Sequence, residues 1–322
     1  MPKPQVEQLV AGVLARDRRA IARAITLVES LSPSDLGPGR ELMERLASHA
    51  EPCRRIGVSG IPGVGKSTFV ETFGMHLVEQ GSRVAVLAVD PSSSLSGGAI
   101  LGDKTRMERL SRSEQAFIRP TAGGDRLGGI APRTREAILV CEAAGFDVVI
   151  VETIGVGQSE AAVRDVVDMF VLLTIAGAGD DLQGIKRGVL ELADVILVNK
   201  ADGDGELRAR HAAAELRSAL QILHGARPER APDVDTCSAV TGIGIDTAWS
   251  RMSERFQHWE CDGRLTRLRA DQDLAWFDRK VDELLRVRFL SQRADAIEAA
   301  RDSVRHGAFA PSAAHRLLLS EP

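Results

Sequence analysis

The stretch Val58–Glu71, "VSGIPGVGKSTFVE", decides how this chain folds. Within it Gly60, Ile61, Pro62, Gly63, Val64, Gly65, Lys66 and Ser67 fit the pattern G-x-x-x-x-G-K-[ST], and Thr68 carries it into a helical segment. Glycines let backbone N–H groups turn toward phosphate oxygens, and a helix starting after such a loop offers them its positive end. Lys66 is expected to reach the β- and γ-phosphates, and the Ser67 hydroxyl to ligate Mg²⁺. An apolar strand before the loop and a helix after it distinguish it from a glycine-rich turn that binds nothing. The loop alone does not choose between ATP and GTP.

Working outward, short apolar runs recur: "RIGVSG", "RVAVLAVD", "FDVVIVET", "DMFVLLTI" and "ADVILVNK", separated by helix-length segments. Runs this apolar suit strands covered on both faces, which means a parallel sheet in an α/β domain. Each carries its polar residues at its C-terminal end, where open α/β sheets bind ligands. Residues 5–50 instead alternate apolar and charged positions at helical spacing, broken by "SPSDLGPG" at 32–39. Beyond about residue 265 the strand signal vanishes, and "DQDLAWFDRKVDELLRVRFL" carries an apolar stripe. Leu274, Phe277, Val281 and Leu285 lie on it, with Trp276 beside it. The expected architecture is a mostly parallel α/β P-loop domain over residues 51–262. Helical extensions are expected over 1–50 and 263–322.

"VNKAD" selects the base. Asn199, Lys200 and Asp202 end an apolar run and match N-K-x-D. A carboxylate only accepts hydrogen bonds, so Asp202 can take both the ring N–H and the exocyclic amine of guanine. Adenine would set an acceptor against it and leave the carboxylate unpaired, a costly arrangement. Asn199 suits the Hoogsteen side and the Lys200 stem can pack over the ring. Downstream, Ser238, Ala239 and Val240 fall where GTPases often place a base-contacting loop. The nucleotide is therefore read as GTP, or GDP after hydrolysis.

Two further strand ends carry carboxylates. Asp90 in "AVLAVDPSS" and Glu152 in "VVIVETIGVGQSE" both terminate apolar runs near the phosphate loop, which favours Mg²⁺ ligation over helix capping. Glu152-Thr153-Ile154-Gly155 occupies the place of a D-x-x-G switch, with Glu for Asp.

Composition excludes several classes. The 322 residues have a formal net charge of −4, which offers no electrostatic footprint for nucleic acid. No apolar run approaches the roughly 18 residues of a membrane helix, and residues 1–30 lack the order of a signal peptide. Arg16, Arg18, Arg19 and Arg23 are interspersed with Glu7, Asp17 and Glu29, which favours a solvated helix face over a transit peptide. The four cysteines, Cys53, Cys141, Cys237 and Cys261, form no C-x-x-C pair, and the seven histidines no H-x-x-x-H. A reduced, cytoplasmic protein without a bound transition metal is expected.

Taken together the motifs resemble one family closely, the MeaB/ArgK GTPases that accompany adenosylcobalamin-dependent acyl-CoA mutases. The resemblance is carried by "GIPGVGKST", "VAVLAVDPSS", "GGAILGDKTRM", "FIRP", "CEAAGFDVVIVETIGVGQSE", "GAGDDLQGIKRG" and "ELADVILVNKAD". It implies a G-protein chaperone that gates delivery of adenosylcobalamin, a cofactor held by the partner mutase, and protects or reactivates that mutase. It implies slow intrinsic GTP hydrolysis that the mutase accelerates, and a homodimer joined through the C-terminal helices. Asp90, Asp103 and Glu152 match acidic positions around Mg²⁺ and the γ-phosphate, so that Lys66, Asp103 and Glu152 form the expected catalytic set. The loop Gly177–Gly188 resembles the family's additional switch, with Gly177, Asp180, Asp181, Gln183 and Lys186 as its expected working residues. Asp181 departs from the common pattern, which has Glu. Ile61 stands where wider relatives carry a second lysine, and no D-x-H-x-x-G cobalamin motif is present. Methylmalonyl-CoA, isobutyryl-CoA, ethylmalonyl-CoA and 2-hydroxyisobutyryl-CoA mutases all fit as clients. The alternatives are a kinase, which N-K-x-D disfavours, and a metallochaperone GTPase, whose His- or Cys-rich tracts this chain lacks.

Overall fold

The computed structural model describes residues 6–30, 32–90, 107–122, 130–153, 159–177, 187–225 and 231–319. Three helices open the chain: α1 (Val6–Leu14), α2 (Arg18–Glu29) and α3 (Pro33–Ala47). Strand β1 (Arg54–Gly60) then leads into α4 (Lys66–Glu79), followed by β2 (Val84–Asp90), α5 (Glu108–Arg112), β3 (Ala116–Ala122) and α6 (Ile130–Ala143). After β4 (Val148–Thr153) come α7 (Ser159–Arg164), β5 (Met169–Ile175), α8 (Arg187–Leu190) and β6 (Val195–Asn199). A 3₁₀ turn (Gly203–Gly205) precedes α9 (Glu206–His224), β7 (Asp233–Thr236), α10 (Ile245–Cys261), α11 (Arg264–Gln292), α12 (Ala294–Arg305) and α13 (Ala310–Leu319).

Among the described residues the strands form a single seven-stranded sheet in the order β3-β2-β4-β1-β5-β6-β7, parallel at every pairing. Successive strand residues point to opposite faces, and the core follows that rule. Ile56 and Val58, Val84 and Val86, and Ile150 and Met169 join a core with Phe69, Phe73 and Leu77 of α4 and Met252 and Phe256 of α10. Their neighbours Ala85, Leu87, Val149, Val151 and Phe170 join Ile21 and Ile25 of α2, Ile138 of α6 and Val163 of α7. Both faces are thus covered, which is why these strands read as continuous apolar runs. Each large side chain fully withdrawn from water contributes about 1.5–3 kcal/mol. No helix among the described residues is long and apolar enough to cross a membrane.

The break expected at 32–39 is shorter than its composition suggested. Helix α3 begins inside it, with Pro33 at the first helical position, where its missing N–H costs nothing. Pro38 lies within the helix and removes one intrahelical bond. A Cβ at Gly39 would lie 3.4 Å from the Leu27 carbonyl oxygen, so the glycine allows α3 a close approach to α2.

The chain divides into two compact units, residues 1–272 and 273–322, and the boundary falls within α11. The second unit consists of the remainder of α11 with α12 and α13, where Arg293 Nη1 donates to the Leu317 carbonyl at 2.7 Å. Along α11, Leu274, Phe277, Val281 and Leu285 are 62%, 57%, 37% and 60% exposed, so the apolar stripe read from the sequence faces solvent in the isolated chain.

Candidate nucleotide site

The site is assembled at the C-terminal ends of β1, β4, β5 and β6, at the point where the connection after β1 (α4, toward β2) and the connection after β4 (α7, toward β5) diverge to opposite faces of the sheet. The loop from β1 to α4 has a backbone that only glycine accommodates at two points. Gly60 has φ 155° and a Cβ there would meet the Leu173 carbonyl oxygen at 2.4 Å. Gly65 caps α4 in the left-handed region, φ 95°, and a Cβ would lie 2.9 Å from Asn199 Nδ2. The loop therefore presses its backbone against the neighbouring strand at the start of a fourteen-residue helix, whose N-terminal N–H groups are free of intrahelical partners.

Lys66 is the first residue of that helix and is half-buried. Its Nζ donates to the carbonyls of Gly60 at 2.7 Å and Ile61 at 3.2 Å, curling the side chain back over the loop. Burial pushes its pKa below the ordinary lysine value, while the charges of Glu152 and Glu160 oppose that shift. Ser67 Oγ donates to Glu152 Oε1 at 2.9 Å. Glu152 is buried near the end of β4, in register with Val58 of β1, so the carboxylate reaches the loop from the next strand. Thr153 Oγ1 donates to Ser59 Oγ at 2.8 Å and ties the same two strand ends together. Thr68 is exposed on the first turn of α4.

Asn199 joins two parts of the site that are far apart in sequence. It is 2% exposed; its Nδ2 donates to the Val64 carbonyl at 2.8 Å, and its Oδ1 accepts from the Ala239 N–H at 2.9 Å. The Cys237 thiol, pushed up to about 12 by burial with Asp235 adding to the effect, donates to the same Oδ1 at 3.7 Å. Thr72 of α4 donates to the Ala239 carbonyl at 2.6 Å. The phosphate loop and the Ser238–Val240 loop are thus held in fixed relation through one buried amide. Lys200 follows with φ 61°, a left-handed conformation that is rare for lysine and is often kept at functional positions. Asp202 is half-buried and precedes the 3₁₀ turn. Ser238 is buried, with Oγ accepting from the Thr241 N–H at 3.1 Å, whereas Val240 is 79% exposed at the rim.

The remaining sequence candidates divide by position. Asp90 ends β2 beside Ala122 of β3. Its side chain, together with Asp103, Asp180, Asp181, Gln183 and Lys186, lies outside the described residues. Gly177 follows β5 with φ 86°. Sequence reading missed the bracing role of Asn199, the thiol of Cys237 and the buried Glu160. Asn199 and Glu160 stood within quoted motifs, whereas Cys237 stood in none.

A parallel sheet with this loop after β1 and N-K-x-D after β6 defines a P-loop GTPase fold. Comparison with known proteins narrows the class. A family model described as methylmalonyl Co-A mutase-associated GTPase MeaB matches residues 21–294. A putative GTPase of Caulobacter vibrioides is 48% identical over 322 residues, covering 99% of this chain and 98% of that protein. The mitochondrial methylmalonic aciduria type A homolog of Mus musculus is 43% identical over 327 residues, covering 98% and 79%. A solved structure described as an LAO/AO transport system kinase superposes with a TM-score of 0.74 at 36% identity, covering 98% and 97%. The chain belongs to the MeaB family of GTPases.

Proposed function

We propose that this protein hydrolyses GTP as a switch serving an adenosylcobalamin-dependent acyl-CoA mutase, gating cofactor delivery and protecting or reactivating the mutase. The observation that carries the nucleotide half of this reading is the Asn199 bridge, which sets a phosphate-binding loop and a base-binding loop at one fixed spacing. Membership of a family described as mutase-associated supports the other half.

In this reading the backbone N–H groups of Gly63 and Gly65–Thr68 and the Lys66 ammonium hold the phosphates, and Asp202 reads guanine, with Lys200 and Ser238–Val240 framing the base. Ser67 and Glu152 bring a hydroxyl and a carboxylate within 2.9 Å of each other, a hard oxygen pair that fits Mg²⁺. With Asp90 and Asp103 they would hold that ion, which when bound would neutralise charge on the phosphates. Catalysis then rests on positioning: Lys66 offsets negative charge at the β- and γ-phosphates, and Glu152, fixed by its strand, orients the Ser67 hydroxyl. Residues 177–188 act as the switch read by the mutase, the exposed stripe on α11 joins two copies, and the protein works in the cytoplasm.

The test is GTP turnover with and without methylmalonyl-CoA mutase, alongside cobalamin transfer followed by absorbance. Turnover accelerated by the mutase, with transfer dependent on GTP, is expected. Guanine-independent turnover would remove the nucleotide half, and turnover and transfer indifferent to the mutase the other.

A further inference from the structure

The N-terminal ends of β1 and β5, opposite the nucleotide site, carry a group of buried ion pairs that the proposed function does not use. At its centre is Asp168, fully buried in the turn between α7 and β5. Asp168 Oδ1 accepts from Arg269 Nε at 2.9 Å, and Oδ2 accepts from Arg269 Nη2 at 2.7 Å and from the Arg55 N–H at 2.8 Å. Arg269 also donates to the Cys53 carbonyl at 2.5 Å. One turn along α11, Gln272 Nε2 donates to the Val167 carbonyl at 2.7 Å. Arg164, the last residue of α7, donates to the Asp168 carbonyl at 3.1 Å and lies 3.5 Å from Asp194. The root of α11 is thus fastened to one short turn, and it is fastened by the directional, two-pronged contacts that tolerate little displacement.

That turn is the far end of α7, whose other end lies at the nucleotide site. The helix has six residues and is about 9 Å long at 1.5 Å per residue. Its nucleotide-site end begins six residues after Thr153, the end of the strand that carries Glu152, and its first turn holds Glu160, 1% exposed, whose charge raises the Lys66 pKa against the effect of burial. The last turn of α7 and the turn after it both lie directly on β1: a Cβ at Gly57 would fall 2.9 Å from Val163 Cγ1 in the helix and 3.0 Å from Val167 Cγ2 in the turn. A helix packed this tightly on the strand that enters the phosphate loop moves as one piece, not by bending.

We propose that α7 and the turn Arg164–Asp168 form a coupling joint, through which occupancy of the phosphate site alters how firmly the root of α11 is held. The proposal rests on the assignment of the nucleotide site above. It also requires that the two nucleotide states differ at the joint, since coupling exists only where the states differ in free energy.

Hydrogen–deuterium exchange over residues 264–292 of the full chain tests it, comparing Mg·GDP with a Mg-bound non-hydrolysable GTP analogue, each binding first confirmed by calorimetry. The wild-type protein should show exchange in this segment differing by about fivefold or more between the two nucleotides, the lower end of usual coupling factors. Arg269→Lys keeps the charge opposite Asp168 but loses the fork, and Gln272→Met keeps the volume but loses the bond to Val167; both avoid stranding a buried charge. Either should shrink the nucleotide-dependent difference at least twofold while both nucleotides still bind as in wild type. Equal exchange in the two wild-type complexes, or an undiminished difference in both variants, overturns the joint. Failure of guanine nucleotides to bind overturns the site assignment and the joint with it.

Discussion

Asn199→Ala is the substitution from which this structure gives the most definite expectation. The side chain is buried and both ends of its amide are engaged, Nδ2 with the Val64 carbonyl at 2.8 Å and Oδ1 with the Ala239 N–H at 2.9 Å. Alanine removes both partners at once and strands two backbone groups. A buried group left without its partner costs about 1–3 kcal/mol, so two cost about 2–6 kcal/mol before relaxation. Water entering the space vacated by the amide would satisfy part of this, which leaves about 2–4 kcal/mol as the expected loss. At 1.4 kcal/mol per tenfold, that corresponds to about 30- to 700-fold in an equilibrium constant. The loss should divide between two measurements. Urea unfolding of the protein without nucleotide reports the bridge as a structural brace, and calorimetric titration with GDP reports it as the spacer between base and phosphate. Thr72→Val is the companion: it removes only the 2.6 Å bond to the Ala239 carbonyl and should cost about 1 kcal/mol. An Asn199→Ala protein with wild-type stability and wild-type GDP affinity would refute the claim that this amide joins the two loops.

Four other outcomes follow from the site and the extensions. Asp202→Asn should shift base preference from guanine toward xanthine, because the amide donates where the carboxylate accepted; calorimetry with GTP, ATP and XTP checks it. Lys66→Ala should leave the protein folded yet lower nucleotide binding or turnover by several kcal/mol, on the order of a charged hydrogen bond and its transition-state share, and normal turnover in the presence of the mutase would oppose the assignment. Truncation after Gln272 should yield a GTP-binding monomer by light scattering; cutting near residue 264 instead would also remove Arg269 and leave Asp168 buried without its arginine. Lys186→Ala or Gln183→Ala should bind GTP almost normally but lose much of the stimulation by the mutase, measured as turnover with and without it.

The strands were legible because each had to be apolar on both faces. "FDVVIVET" has no polar alternation to confuse with a solvent-facing strand, and β4 is buried at every position. The phosphate loop was legible for a related reason: its glycines answer to local collisions, such as the 2.4 Å approach of the Leu173 carbonyl to a Cβ at position 60, and a constraint that severe leaves its mark on the residue type. Composition misled at 32–39 because proline was read as a breaker, although at the first position of a helix it is a favourable start.

Pairings across long sequence separations carried no such mark. Asp168 and Arg269 stand 101 residues apart, and nothing in "RDVVDMF" or "RLTRLRADQ" selects one aspartate or one arginine from its neighbours. The stripe on α11 shows the same limit from the other side. Leu274, Phe277, Val281 and Leu285 read as an apolar stripe at helical spacing, but periodicity specifies only that a face exists, not what covers it. Within this chain they remain 37–62% exposed, while Leu265 and Gln272, which do anchor the helix, belong to the segment fastened by charge. The two halves of α11 therefore differ in kind. Polar contacts of exact partners fix the first half to the GTPase unit, and the second half keeps apolar surface that a protein of this size rarely leaves to water without a use for it.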